Sequence, residues 1–213
     1  MKDMGVLEYV LGVRVDQIPA EKIIQLSQRS YIIDMLAKFE MTKCSDKDTP
    51  MESKVRLFKS MCPTTLQGRL EMEKIPYREA VGSLLWIANG TRPDVAYAVS
   101  QVARYMSNPG MEHWNAVKRI LRYLKGTMDL KLTYNGNKAR NVIGFARGVL
   151  PVLVNHIDRD ATSKVQSLVS KEPDGKRLKV TPEIYVDADY AADVESRRSV
   201  TGYLFMLAGA PIS

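Results

Sequence analysis

Three apolar stripes at helical spacing, crowded between Tyr77 and Gly126, constrain this chain more than any other feature. The first runs from Tyr77 to Ala88, with Val81, Leu84, Leu85 and Ala88 on one face, and Asn89-Gly90 ends it. The second takes Thr91 as its N-cap, sets Pro93 and Asp94 in its first turn, and carries Val95, Val99, Val102 and Met106. The third begins near Asn108-Pro109, turns Trp114, Val117, Leu121 and Leu124 inward, and stops at Gly126. Such helices owe their stability to hiding their apolar faces against one another. The predicted core is therefore Val81, Leu84, Leu85, Val95, Val99, Val102, Trp114, Val117, Leu121 and Leu124.

The flanks read differently. Residues 7–15 (LEYVLGVRV) suit a strand, Asp16 to Glu21 form a turn around Pro19, and Lys22 to Leu26 return as the second strand of a hairpin. Ser27 suits the cap of a helix reaching about Phe39, with Tyr31, Ile32, Met35, Leu36 and Phe39 on one side. Residues 40–76 are polar and broken by Pro50, Pro63 and Pro76, which predicts a long connection with little regular structure. Residues 129–134 (DLKLTY) alternate like a strand and end at the turn pair Asn135-Gly136.

Residues 145–184 change texture: an apolar run broken by Pro151 gives way to a polar stretch containing the turn EPDGKR. From Ala161 to Pro182 few large apolar groups offset the entropy of ordering, so loose packing is expected there. A strand pattern resumes at Ile184 and runs through Asp187-Ala188-Asp189. Glu195 to Arg198 make a charged turn, Ser199 to Leu207 form the antiparallel partner, and Gly209 to Pro211 turn towards a third strand.

Lys plus Arg outnumber Asp plus Glu by 31 to 24, a net charge of +7 that favours polyanion partners and equally fits a solvated basic surface. Cys44 and Cys62 make neither a disulfide framework nor a zinc site and suit a reducing compartment. No apolar run approaches a membrane span and Met1-Lys2-Asp3 does not open a signal peptide, so cytoplasm or nucleus is the expected location. There is no GxSxG, HExxH, P-loop or CxxC, and the two histidines lack evident acidic or nucleophilic partners.

Several short segments occur in a telling order: LEYVLGVRV, IIQLSQRSYIIDMLAKFEM, YREAVGSLLWIA, TRPDVAYAVSQVARYMSNP, HWNAVKRILRYLKGT, and then YVDADYAADVESRRSVTGYLFMLAGAPIS. The series resembles the copia-type retrotransposon Pol polyprotein, from the end of its reverse transcriptase to the beginning of its RNase H. The resemblance implies an α+β chain in three parts. Residues 1–136 would be the C-terminal part of reverse transcriptase, an N-terminal β-hairpin followed by a helical thumb and connection-like region. Residues 137–184 would be a linker with extra residues, from an insertion, a retained intron or a gene-model error. Residues 185–213 would start a truncated RNase H-like β-meander.

The resemblance also assigns residues. Leu11 and Gly12 would sit in a primer-grip-like hairpin, where a glycine suits the close approach of another backbone, although a hairpin glycine can equally serve packing. Lys118, Arg122 and Lys125 fall at i, i+4 and i+7 with Arg119 alongside, a cationic row suited to phosphates or to plain solvation. His113 before Trp114 reads as a structural hydrogen-bonder, and Arg92-Pro93-Asp94 as a helix start. Asp187 matches the first carboxylate of the RNase H set, which in the intact family holds two Mg²⁺ ions for in-line hydrolysis. The later carboxylates of that set and the Tyr-x-Asp-Asp of the polymerase are not among these residues, so Asp187 alone would bind metal weakly and no tightly bound cofactor is expected. The expected partners are template–primer or RNA–DNA hybrid, held weakly, and the remainder of Pol, with no membrane. The expected role is nucleic-acid holding without catalysis; the alternative is a domesticated nucleic-acid-binding or protein-interaction module.

Overall fold

The computed structural model describes residues 5–52, 56–136, 183–189, 200–208 and 210–211. They are mixed α and β. In chain order come β1 (Tyr9–Val10), β2 (Val13–Ile18), β3 (Ile23–Ser27), α1 (Arg29–Lys38), α2 (Leu66–Glu73), α3 (Tyr77–Gly90), α4 (Ala96–Ala103), α5 (Met111–Gly126), β4 (Leu132–Asn135), β5 (Glu183–Asp189), β6 (Val200–Leu207) and β7 (Ala210–Pro211). Strands β1 to β4 form a four-stranded sheet in the order β1-β2-β3-β4, and β5-β6-β7 form a three-stranded one. The chain divides into two compact units, residues 1–16 with 25–132, and residues 17–24 with 133–213.

The first unit holds the helices. Its core joins Ile32, Met35 and Leu36 of α1 to Val81, Leu84 and Ile87 of α3, Val99 and Val102 of α4, and Val117, Leu121 and Leu124 of α5. Each large aliphatic side chain hidden there stabilises by roughly 1.5–3 kcal/mol. Every predicted core residue is buried except Leu85 and Trp114, which are partly buried and lie against the cluster. On α5 the place expected for Trp114 is taken by His113, which is fully buried.

Three other expectations change. The strand expected over 7–15 is broken: Leu11 and Gly12 both have positive φ (49° and 79°) and fold β1 back on β2, pairing Val10 with Val13 and Tyr9 with Arg14. A two-residue turn of this hand matches the twist of its strands. The 40–76 connection contains α2, because the Thr65 hydroxyl accepts the Gly68 N–H at 3.2 Å and starts a helix that buries only Met72. Its single anchored side chain gives too weak an apolar period to read. Thr91 is not an N-cap. Its N–H closes the end of α3 on Ile87, its hydroxyl donates to the buried Gln28 at 2.9 Å, and Pro93–Val95 form a 3₁₀ turn ahead of α4. Helix α5 ends at Gly126, as its sequence suggests.

The cap position of α1 is Gln28 rather than Ser27, whose hydroxyl accepts the Arg29 N–H at 3.2 Å from one residue earlier. In the second unit β5 and β6 pair antiparallel, with Asp187 opposite Gly202 and Asp189 opposite Val200, and β7 joins β6 through Leu207 and Ala210. The Tyr134 hydroxyl donates to the Pro211 carbonyl at 2.9 Å, and burial pushes that hydroxyl's pKa up. The loose packing expected from Ala161 to Pro182 concerns residues outside the described ones.

Candidate nucleic-acid interface on the fifth helix

Helix α5 carries two sets of polar side chains with opposite environments. The first set is locked inside. His113 sits one turn into the helix, with its Nδ1 accepting the Gly110 N–H at 2.9 Å and its Nε2 at 3.2 Å from the Phe58 carbonyl. Tyr105 stacks on the ring at 3.9 Å and donates its hydroxyl to the Leu57 carbonyl at 2.7 Å. A side chain at Gly110 would bring its Cβ within 1.9 Å of the Met61 carbonyl, so only glycine fits where this loop crosses the helix start. These bonds fasten residues 57–62 to α5 and occupy both imidazole nitrogens, which is the structural role the sequence suggests.

At the other end of α5, Arg92 is buried to 2% exposure and every nitrogen of its guanidinium is used. It grips Asp94 through Nε at 3.0 Å and Nη2 at 2.7 Å, and it donates to the Thr127 carbonyl at 2.8 Å and hydroxyl at 2.6 Å. The Tyr123 hydroxyl adds a bond of 2.8 Å to Asp94, and its ring lies 5.6 Å from the guanidinium carbon. Desolvation pushes the Asp94 carboxyl up, but the hydrogen bonds and charge of Arg92, with the Tyr123 hydroxyl, more than offset it and hold the group below the usual carboxylate range. The Arg92-Pro93-Asp94 sequence thus clamps the α3–α4 junction to the end of α5, a larger task than starting a helix.

The second set is Lys118, Arg119, Arg122 and Lys125, all partly exposed. Three of the four reach the segment Cys44–Glu52. Arg119 pairs with Glu52 and donates to the Thr49 hydroxyl at 2.9 Å. Arg122 donates to the Ser45 carbonyl at 2.7 Å and also to its hydroxyl. Lys125 donates to the Cys44 carbonyl at 2.5 Å and lies 3.5 Å from Asp46. Among the described residues Lys118 makes no ion pair, and the Arg119 Nε has no partner. Lys118, Arg119 and Arg122 line a cleft of about 640 Å³ between this segment and α4–α5, floored by Leu57, Val102 and Ile120. The spacing of the cations was legible in the sequence; the segment that covers them was not.

The other predicted site residues lie apart from this row in the chain. Leu11 is 81% exposed at the tip of the β1–β2 hairpin, and its left-handed backbone is a conformation that a leucine adopts only at some cost. Asp187 is in the middle of β5. No group of three or more His, Cys, Asp or Glu among the described residues could hold a metal ion, and no helix there is long and apolar enough to cross a membrane.

Compared with known proteins, the whole chain is 36% identical to the retrovirus-related Pol polyprotein from transposon TNT 1-94 of Nicotiana tabacum. It is 32% identical over its full length to that from transposon RE2 of Arabidopsis thaliana. The chain spans only 13% and 11% of the lengths of these two polyproteins. A third relative is the secreted RxLR effector protein 161 of Plasmopara viticola, 32% identical over 142 residues that make up 67% of this chain and 72% of that protein. No protein-family model and no solved structure matches. Whole-chain identity to transposon polyproteins, which agrees with the motif order from LEYVLGVRV to YVDADY, places the chain in the family of copia-type retrotransposon Pol polyproteins.

Proposed function

We propose that these residues hold the backbone of a template–primer or RNA–DNA hybrid and do not themselves catalyse. On this reading residues 1–136 are the end of the reverse transcriptase, 137–184 a linker, and 185–213 the opening of an RNase H-like domain. The observation that carries it is the row Lys118, Arg119, Arg122 and Lys125 along α5, the first three of which line a cleft. Such a row binds phosphates without reading bases. The exposed hairpin tip at Leu11-Gly12 fits a primer-grip-like role, where a strained residue is kept for what it touches.

Catalysis in this family needs converging carboxylates around paired Mg²⁺ ions. Within these 213 residues only Asp187 matches a catalytic position, and one carboxylate leaves Mg²⁺ mostly hydrated, so this chain by itself does not fit a tight metal site. The remainder of Pol is the partner that would complete either activity, and cytoplasm or nucleus is where such a complex would act.

A second reading is a free-standing module that keeps the binding surface for a host role. It is supported by the effector relative, of which the matched region makes up 72%. Gel-shift titration with an RNA–DNA hybrid tests the first reading. Binding should fall with rising salt, and Lys118→Ala/Arg122→Ala should weaken it and flatten the salt slope by about 0.9 for each phosphate that is no longer neutralised. Binding that this variant leaves untouched would remove α5 from the account.

A further inference from the structure

We infer that the segment Cys44–Glu52 is a built-in competitor for the α5 phosphate site, an internal anionic cover that nucleic acid must displace. The inference rests on the nucleic-acid reading of α5. Three of the four cations of the row donate to this segment: Arg119 to Glu52 and Thr49, Arg122 to Ser45, and Lys125 to Cys44 and Asp46. The groups that occupy them are carboxylates, carbonyls and hydroxyls spaced along an irregular stretch, oxygen acceptors such as a phosphodiester backbone also presents.

The cover is displaceable because its bonds are exposed. The side chains of Glu52 and Asp46 are 52% and 58% exposed, against 20% and 25% for Arg119 and Lys125. Half-exposed pairs of this kind contribute little, since water and salt compete for both partners. A phosphate backbone offers stronger, charge-assisted acceptors to the same donors. The Arg92 clamp shows the contrast: it is 2% exposed and saturated, and no ligand can compete for it. The row is also under-satisfied as it stands. Among the described residues the Arg119 Nε is buried without a partner, and Lys118 makes no ion pair with a carboxylate while lining the cleft. Lys118 would therefore meet a phosphate first, and Arg119, Arg122 and Lys125 would join as the cover yields.

The test compares four forms of the full chain by gel shift and fluorescence anisotropy with an RNA–DNA hybrid across a salt series. They are the parent, the cover variant Asp46→Asn/Glu52→Gln, the row variant Lys118→Ala/Arg122→Ala, and a charge control, Asp34→Asn/Glu73→Gln. The control changes net charge equally at exposed positions off the cover. Circular dichroism checks that each form keeps its helices. The cover variant should bind about two- to thirtyfold more tightly than the parent, the range that two exposed ion pairs span. It should also have a salt slope steeper by about 0.9 for each cation freed, and the control should not match it. Binding by the cover variant where the parent shows none supports the inference equally. Equal affinity and slope for parent and cover variant, or an equal gain in the control, overturns it while a weakened row variant leaves the nucleic-acid reading intact. Absence of binding by both parent and cover variant, or a row variant that binds like the parent, defeats that reading and the inference with it.

Discussion

Single residues decide more here than their place in the motifs suggests. Arg92 is a buried cation satisfied by one partly buried carboxylate, so Asp94→Asn leaves a charge without its counter-charge and should cost roughly 2–3 kcal/mol, less than a fully buried pair because water reaches Asp94. The sign of its pH effect follows from the direction of the shift. The folded-state carboxyl titrates below its ordinary 3.8, so its contribution is present above that value and lost as pH falls below it through the folded-state pKa. Urea midpoints measured across this range should drop more steeply for the parent than for Asp94→Asn. The hairpin tip should behave in the opposite way. Leu11→Asn places a residue that tolerates positive φ at 49°, and should raise stability by up to about 1 kcal/mol while weakening hybrid binding. Calorimetry and anisotropy on one preparation check both halves, and tighter binding would remove Leu11 from the site.

Among the elements, α5 and α2 are opposite cases. Helix α5 buries Val117, Ile120, Leu121 and Leu124 at or below 1% exposure, so Leu121→Ala opens a cavity in the centre of the core and should cost about 2–5 kcal/mol of global stability. Helix α2 buries only Met72 and leaves Leu66 and Leu70 exposed. Thr65→Ala removes its cap, worth about 1 kcal/mol, and the loss should appear as faster hydrogen exchange within Leu66–Glu73 with little change in the global midpoint. A global shift as large as that of Leu121→Ala would show that α2 is cooperative with the core.

At the scale of the whole molecule, the proposed reading is one of holding rather than reacting. On that reading the 213 residues assayed alone should neither extend a primer nor cut an RNA–DNA hybrid with Mg²⁺ or Mn²⁺, since the resemblance matches Asp187 alone to the family's catalytic carboxylates. Asp187→Asn should leave that blank result unchanged, and cleavage that disappears with this substitution would restore a catalytic role. On that reading the net charge of +7 assists binding at distance, and the salt slope counts the phosphates that the row neutralises.

The sequence by itself determined the three central helices, eight of the ten core residues proposed and the family, because apolar period and motif order are local properties of the chain. It also placed the cations of α5 on one side. The tertiary structure alone decided what those cations touch: Arg119, Arg122 and Lys125 meet partners 67 to 81 residues away in a polar stretch with no period to read. It decided likewise that His113 goes inside ahead of Trp114, because Phe58, Tyr105 and Gly110 converge on the imidazole and satisfy it. Helical spacing specifies which face a side chain shares; the acceptors that reach that face are set by how distant segments fold over it.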